Sequence, residues 1–121
     1  MHYVGVDIIE IARVEKAIKR WGEAFVRRLY TDSELKLCRK RPSSLATRFA
    51  GKEAVMKVLG TGARGVGWRE IEILSEPSGK PLVYLHGKAQ ERANHLGLER
   101  IAISLSDSKE YAVAFVVGET K

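Results

Sequence analysis

The sequence predicts an α+β fold in which a largely antiparallel sheet packs against a long N-terminal helix and a buried central helix. Three observations support this prediction. Apolar residues alternate at the N-terminus and in later segments, as they do in strands. They recur at helical spacing in the first half of the chain. The elements follow the order one strand, three helices, two strands, a helix and two strands, which favours α+β over a parallel α/β arrangement.

Size and composition fit one domain spanning residues 1–121. The chain has 121 residues, 45% of them hydrophobic, which is enough for a core of its own. No apolar segment approaches the roughly 20 residues of a membrane span. The N-terminus, MHYVGVDIIEI, has no basic region of a signal peptide. A single cysteine, Cys38, forms no internal disulfide. We therefore expect a cytoplasmic protein that does not associate with membranes.

Alternation over residues 3–11 predicts the first strand. It places Asp7 between Gly5 and Ile9 on one face and three aliphatic residues on the other. From Ile11 to about Leu29 the apolar period becomes helical. The polar side of this helix carries six cations: Arg13, Lys16, Lys19, Arg20, Arg27 and Arg28.

The remaining elements follow from capping and turn signals. TDSE, from Thr31 to Glu34, is a capping-box pattern that predicts a short helix through Cys38. We expect Ser43 or Ser44 to cap the central helix and residues 60–67, rich in glycine, to form a flexible turn. Later strands are expected at 69–74, 81–87, 99–106 and 111–118, with a hairpin-like turn at 75–81 and a helix at 88–96 that ends at Gly97.

An acidic residue in the central helix needs an explanation. Glu53 falls beside Phe49 and Ala46 in a helix that is apolar on most sides, and a buried carboxylate is costly unless it is paired or binds a metal. An ion pair with Lys57, four residues on, is the simplest explanation. Asp7 is a second carboxylate in an apolar setting, however, and two carboxylates with substrate phosphates are a typical Mg²⁺ site.

Cations and glycines point to phosphate in the same region. The chain has 21 Lys and Arg against 15 Asp and Glu, a net charge of +6, which attracts phosphates, nucleic acid or acidic proteins. Three cations, Arg48, Lys52 and Lys57, precede the turn Gly60–Thr61–Gly62, where backbone N–H groups can approach an anion closely. The P-loop pattern is absent, so the expected phosphate site is of another kind.

Four motifs carry a family resemblance. GVDIIEI, RFAGKEAVMKVLGTG, SGKP and SLSDSKEYAVA occur in this order along nearly the whole chain. Together they resemble the holo-[acyl-carrier-protein] synthases, the short bacterial type of 4′-phosphopantetheinyl transferase. The resemblance implies transfer of 4′-phosphopantetheine from coenzyme A to a serine of apo acyl carrier protein. It also implies adenosine 3′,5′-bisphosphate as the second product, a need for Mg²⁺ and a place in fatty acid biosynthesis.

The resemblance also implies roles for individual residues. Asp7 and Glu53 would be the metal ligands, and the catalytic residues would be Glu53, Lys57 and Asp107. The coenzyme would be bound by Arg48, Lys52, Lys57, Gly60, Thr61, Gly62, Lys80, Pro81, Asp107 and Ser108. The family forms homotrimers, so a neighbouring subunit would supply the Gly60–Gly62 and Lys80–Pro81 loops. The acidic carrier protein would dock on the first helix, at Arg13, Lys16, Arg20, Arg27 and Arg28.

Asp107 leaves the identity of the general base open. The family usually carries a histidine at this position, where an aspartate would repel phosphate. Asp107 is expected to act as a carboxylate base, to approach the metal, or only to tune coenzyme binding. Glu53 or a metal-bound water is an equally plausible base.

Two other function classes compete with the enzyme. A nucleic-acid-binding module explains the positive charge and the basic helix. It explains neither Asp7 nor Glu53, and the exposed aromatic residues of single-strand binders are missing. An adaptor for acidic proteins explains the basic helix but not the glycine turn. We therefore expect an enzyme whose partners are coenzyme A and an acidic carrier protein, without nucleic acid.

Overall fold

Two antiparallel sheets and five helices form the computed structural model, which describes residues 1–121. The strands are β1 (His2–Glu10), β2 (Ile71–Ser75), β3 (Pro81–Leu85), β4 (Leu98–Asp107) and β5 (Tyr111–Thr120). The helices are α1 (Ile11–Leu29), α2 (Asp32–Cys38), α3 (Pro42–Leu59), α4 (Gly62–Gly65) and α5 (Gly87–Leu96), and a 3-10 turn, Trp68–Glu70, precedes β2. None of these helices combines the length and the apolar character needed to cross a membrane.

The predicted α+β class is confirmed, and all strand pairs are antiparallel. The larger sheet has the order β1-β5-β4, and β2 and β3 form a separate hairpin. Asp7 on β1 pairs with Ala114, and Asp107 at the end of β4 pairs with Ala112. The central strand β5 therefore holds both acidic residues in a fixed register on opposite sides of itself.

Helix α3 lies across the inner face of the larger sheet and forms the core. It is buried on most sides, as the sequence predicts. Small residues allow the close packing: a Cβ added to Gly5 would overlap the carbonyl oxygen of Ala54. The face of β1 that carries Asp7 therefore rests directly on α3, while Val4, Val6 and Ile8 point outward.

Helix α1 covers a second cluster of core residues. Val14 and Leu29 of α1 pack with Tyr30, Cys38 and the first turns of α3. The helix is interrupted at Gly22, whose φ of 74° and ψ of −163° are accessible to glycine and costly for other residues. The expectation of one continuous helix over residues 11–29 is therefore wrong at this point.

Most predicted helix ends are confirmed, with two corrections. Thr31 and Glu34 form the predicted capping box, and Gly60 and Gly97 end their helices in the left-handed conformation. Neither Ser43 nor Ser44 caps α3, because the helix begins one residue earlier, at Pro42, whose fixed φ suits the first helical turn. The predicted flexible turn at 60–67 contains the short helix α4.

Candidate active site

The two carboxylates predicted as metal ligands lie together. Asp7 projects from the face of β1 that rests on α3, and its side chain is only 13% exposed. Glu53 projects from α3, and both carboxylates line one cavity of about 330 Å³. Most of that cavity is apolar, with Phe25 and Phe49 among its walls. The pairing follows from the close contact of β1 with α3 at Gly5.

The pair is electrostatically unfavourable without a cation. Burial, the neighbouring negative charge of Asp7 and a side-chain hydrogen bond with Asp7 raise the pKa of Glu53. Lys57 and Arg13 oppose the rise without removing it. A hard divalent cation would relieve this repulsion because carboxylate oxygens are its preferred ligands. The chain has no group of three or more metal-ligating side chains, so further ligands would have to come from a substrate.

Lys57 is paired differently from the simplest expectation. Its ammonium group lies 3.2 Å from Asp7 Oδ1 and donates to the backbone oxygen of Val6 at 2.7 Å. No ion pair joins it to Glu53. The side chain is 54% exposed, so the ammonium keeps free donors toward solvent. Lys57 can therefore contact an anion that approaches the carboxylate pair.

The glycine turn borders the same carboxylate. Gly60 and Gly62 line a second cavity, of about 410 Å³, with Glu53, Lys57 and Trp68. The hydroxyl of Thr61 is buried without a hydrogen-bond partner. The chain that carries Glu53 thus carries a Gly60–Gly62 turn beside it, and supply of this loop by a neighbouring subunit stays a prediction.

Arg48 and Asp107 belong to a different surface. They line a cavity of about 190 Å³ with Pro81 and the first turn of α3. The guanidinium donates to Ser75 Oγ at 2.8 Å, and its Nε is buried without a partner. Arg48 and Glu53 are five residues apart, about 140° around the helix axis. Within one chain Asp107 therefore lies on a different surface from Glu53 and Lys57, and its predicted catalytic role stays a prediction.

Lys80 and Ser108 flank the Arg48 surface. Lys80 is exposed at the end of the turn between β2 and β3, with its backbone N–H directed to Ser78 Oγ. The hydroxyl of Ser108 accepts a hydrogen bond from the backbone N–H of Tyr111 at 3.1 Å, which stabilises the turn between β4 and β5. Neither side chain approaches the Asp7–Glu53 pair.

Comparison with known proteins decides the family. The sequence profile of the 4′-phosphopantetheinyl transferase superfamily matches residues 3–116. The holo-[acyl-carrier-protein] synthase of Herpetosiphon aurantiacus is 50% identical over 125 residues, which cover 98% of each chain. The chain belongs to the 4′-phosphopantetheinyl transferase superfamily. It is therefore an enzyme of the transferase class.

Solved structures of the family have the same fold. The holo-[acyl-carrier-protein] synthase of Neisseria meningitidis is 35% identical, with a TM-score of 0.89 and 98% of each chain covered. The Helicobacter pylori synthase, solved in complex with coenzyme A, is 34% identical, with a TM-score of 0.87 over 96% of this chain and 99% of that one. Element order and packing in this transferase are thus those of the synthases.

The structure corrects the role predicted for Lys52. The side chain is fully buried, and its ammonium group lies 2.7 Å from Glu34 Oε1. It also donates to the backbone oxygens of Trp68 at 2.9 Å and Ile71 at 2.6 Å. All three of its donors are used inside the protein. Lys52 of this transferase is therefore unable to contact a nucleotide.

Sequence analysis missed Glu34 and Trp68. Glu34 is part of the capping-box pattern, which predicts only a backbone contact for this residue. Its ion pair with Lys52 was therefore not predicted. Trp68 lies just beyond the glycine turn, and its ring stacks on Phe49 with centroids 5.0 Å apart. Its position directly after the glycine-rich segment 60–67 is the one sequence signal for Trp68.

The basic face of α1 is exposed beside the carboxylate cavity. Arg13, Lys16 and Arg20 lie on the segment before Gly22, and Arg27 and Arg28 on the segment after it. Arg13 lines the cavity that contains Asp7 and Glu53. A macromolecule bound to this face would reach the carboxylates directly.

The raised pKa of Glu53 predicts that Glu53 lowers the stability of the metal-free protein in a pH-dependent way. If a carboxyl group has a higher pKa in the folded state than in the unfolded state, the folded protein loses stability as the pH rises through that higher pKa. We therefore expect Glu53→Gln to raise the Tm of the metal-free protein above that of wild type at pH 8, by less at pH 5. Thermal unfolding in a chelator measures this difference, with Glu110→Gln, on an exposed turn, as the matched control. A constant difference between wild type and Glu53→Gln across this pH range would contradict the prediction.

Proposed function

We propose that the chain is a holo-[acyl-carrier-protein] synthase acting in the cytoplasm as one domain, residues 1–121. It transfers 4′-phosphopantetheine from coenzyme A to a serine of apo acyl carrier protein and releases adenosine 3′,5′-bisphosphate, with Mg²⁺ required. The observation that carries the proposal is the presence of Asp7 and Glu53 in one cavity, with Lys57 and the glycine turn beside them. The Helicobacter pylori synthase in complex with coenzyme A supports it.

Asp7 and Glu53 are the residues that would hold Mg²⁺. Their mutual repulsion and the apolar wall around them fit a hard cation with two protein ligands. When bound, the ion neutralises the charge of the coenzyme's pyrophosphate and of the phosphate that leaves. Because the chain offers no third acidic ligand there, the remaining ligands would have to come from the coenzyme's pyrophosphate.

The protein's own groups position and neutralise the reacting phosphate. The ammonium of Lys57 faces the phosphate that is transferred or its leaving group, and the backbone of Gly60–Gly62 lies beside the nucleotide part. The serine oxygen of the carrier protein forms the new bond to phosphorus as the bond to the leaving phosphate breaks. We assign the serine proton to a carboxylate oxygen of Glu53, because Glu53 lines both the cavity of Asp7 and the cavity of Lys57 and the glycine turn.

The Arg48–Asp107 surface serves the coenzyme of a neighbouring subunit. Arg48, Pro81 and Asp107 lie apart from Glu53 in one chain, which supports a site completed by a second copy. Lys80 and Ser108 flank that surface and belong to the same half of the site. In this arrangement Asp107 tunes coenzyme binding and is not the base at the metal.

An outward apolar face supports the proposed homotrimer. Val4, Val6, Ile8 and Phe115 are 61%, 54%, 62% and 47% exposed on the outer side of the β1–β5 pair. A contiguous exposed patch of this kind marks an interaction site. Three copies joined through this face would bury it and bring the two halves of the site together.

Removal of either metal-binding carboxylate tests the function. We expect Asp7→Asn and Glu53→Gln to lower kcat about 100-fold or more, since a bound cation supplies several kcal/mol and each 1.4 kcal/mol is tenfold in rate. Mass spectrometry of apo carrier protein incubated with coenzyme A and Mg²⁺ detects the added phosphopantetheine. Glu110→Gln is the control. Normal turnover in either variant would show that its carboxylate is not a ligand, and no transfer by wild type would refute the function.

Charge reversal on α1 tests the carrier-protein surface. We expect Arg13→Glu with Arg20→Glu to raise KM for the carrier protein by up to about tenfold, because each exposed ion pair contributes under about 1 kcal/mol. KM for coenzyme A should change little, and the effect should weaken at high salt. The matched control is Lys88→Glu with Arg100→Glu, on α5 and β4. Equal KM values for the two double variants would contradict docking on α1.

The assembly is tested at the exposed sheet face. We expect Val6→Lys with Phe115→Lys to convert the trimer to monomers, because burying two unpaired ammonium groups in an interface is costly. Light scattering measures the mass in solution. Trp21→Ser removes an equally exposed aromatic residue away from the sheet and should leave the mass unchanged. A wild-type protein that is monomeric at all concentrations would refute the trimer.

A further inference from the structure

A buried ion pair lies directly behind the candidate active site. Glu34 and Lys52 are both fully buried, and the Glu34 carboxylate accepts hydrogen bonds from Lys52 Nζ at 2.7 Å and from the backbone N–H of Ile73 at 2.8 Å. The backbone N–H of Thr31 donates to the same carboxylate at 2.9 Å. Three elements, α2, α3 and β2, are therefore joined at one point.

The third group held at this point is the backbone of Trp68. Lys52 Nζ donates to the Trp68 oxygen at 2.9 Å. This bond ties the start of the 3-10 turn to α3, one residue before Glu53 in that helix. The turn otherwise follows a glycine-rich segment, whose backbone has few conformational restraints. The ammonium of Lys52 is thus a direct restraint on where Trp68 sits.

The indole of Trp68 borders the cavities that contain Glu53. Its ring stacks on Phe49 at 5.0 Å between centroids and 16° between planes. Phe49 lines the cavity of Asp7 and Glu53, and Trp68 lines the cavity of Glu53, Lys57 and the glycine turn. A ligand phosphate held by Lys57 would have its neighbouring atoms against this indole.

We propose that Lys52 is a positioning residue: held by Glu34, it fixes the backbone of Trp68, and the indole in turn contacts the part of coenzyme A next to the transferred phosphate. The inference rests on the proposed function, which makes coenzyme A the ligand of this cavity. It gives a role in binding to a residue pair that does not touch the ligand. Trp68 is the contact, and Glu34 and Lys52 act through it.

The first experiment uses Trp68 as its own probe. The chain has two tryptophans, so Trp21→Phe leaves Trp68 as the only strong emitter. We expect its emission to change on titration with coenzyme A and Mg²⁺, with a midpoint equal to the Kd from calorimetry. An unchanged emission in a protein that still transfers phosphopantetheine would overturn the inference and leave the function standing. No transfer by that protein would instead count against the function.

The second experiment separates positioning from stability. Lys52→Met alone leaves the Glu34 carboxylate buried and unpaired, which is strongly destabilising, so Glu34→Gln is combined with it. In the Trp21→Phe background we expect this pair of substitutions to shift the Trp68 emission to the red and to raise KM for coenzyme A about tenfold, with kcat changed less than about threefold. Loss of folded protein alone would lower kcat and leave KM unchanged, and that result would overturn the inference.

A third variant tests the proposed contact of Trp68 with coenzyme A if the paired variant does not fold. Trp68→Ala should by itself raise KM for coenzyme A about tenfold, with KM for the carrier protein unchanged. Where the paired variant folds, adding Trp68→Ala to it should raise KM no further, because residues that act through one contact are not additive. A normal KM for coenzyme A in Trp68→Ala, or additive effects of the two changes, would contradict the proposal.

Discussion

The close approach of α3 to β1 is the constraint on which the candidate site depends. Gly5 has no side chain, and the Ala54 carbonyl of the helix occupies the space that a Cβ would fill. This contact brings Asp7, two residues along the strand, into one cavity with Glu53 of the helix. A larger residue at position 5 would overlap the Ala54 carbonyl, so α3 and β1 would have to move apart.

Glu34 on α2 and Glu53 on α3 are carboxylates in opposite electrostatic environments. Glu34 is fully buried, but it is compensated by Lys52 and by backbone donors, so it costs the fold little. Glu53 is less buried, and burial together with the charge of Asp7 raises its pKa although Lys57 and Arg13 act in the opposite direction. The Glu34–Lys52 ion pair joins α2, α3 and β2, whereas the Asp7–Glu53 pair is where the proposed function places a cation and phosphates.

Two different surfaces border the carboxylate pair. The basic face of α1 borders it on one side, through Arg13, and the glycine turn borders it on the other. An acidic protein and a phosphate-rich coenzyme can therefore approach the same point from different directions. The Arg48–Asp107 surface lines a separate cavity, and the proposed homotrimer would bring it to the carboxylate pair of another copy.

The sequence by itself determined the element order, the α+β class and the pairing of Asp7 with Glu53. Alternation and helical spacing are local patterns, and the motif resemblance linked the two carboxylates across the chain. Only the tertiary structure decided which charges are internal. Lys52 and Lys57 were both predicted to contact the coenzyme, yet they lie on different sides of α3: Lys52 pairs with Glu34 in the core, and Lys57 pairs with Asp7 at the surface. The separation of Asp107 from Glu53 was likewise not predictable, because it depends on packing between elements far apart in the chain.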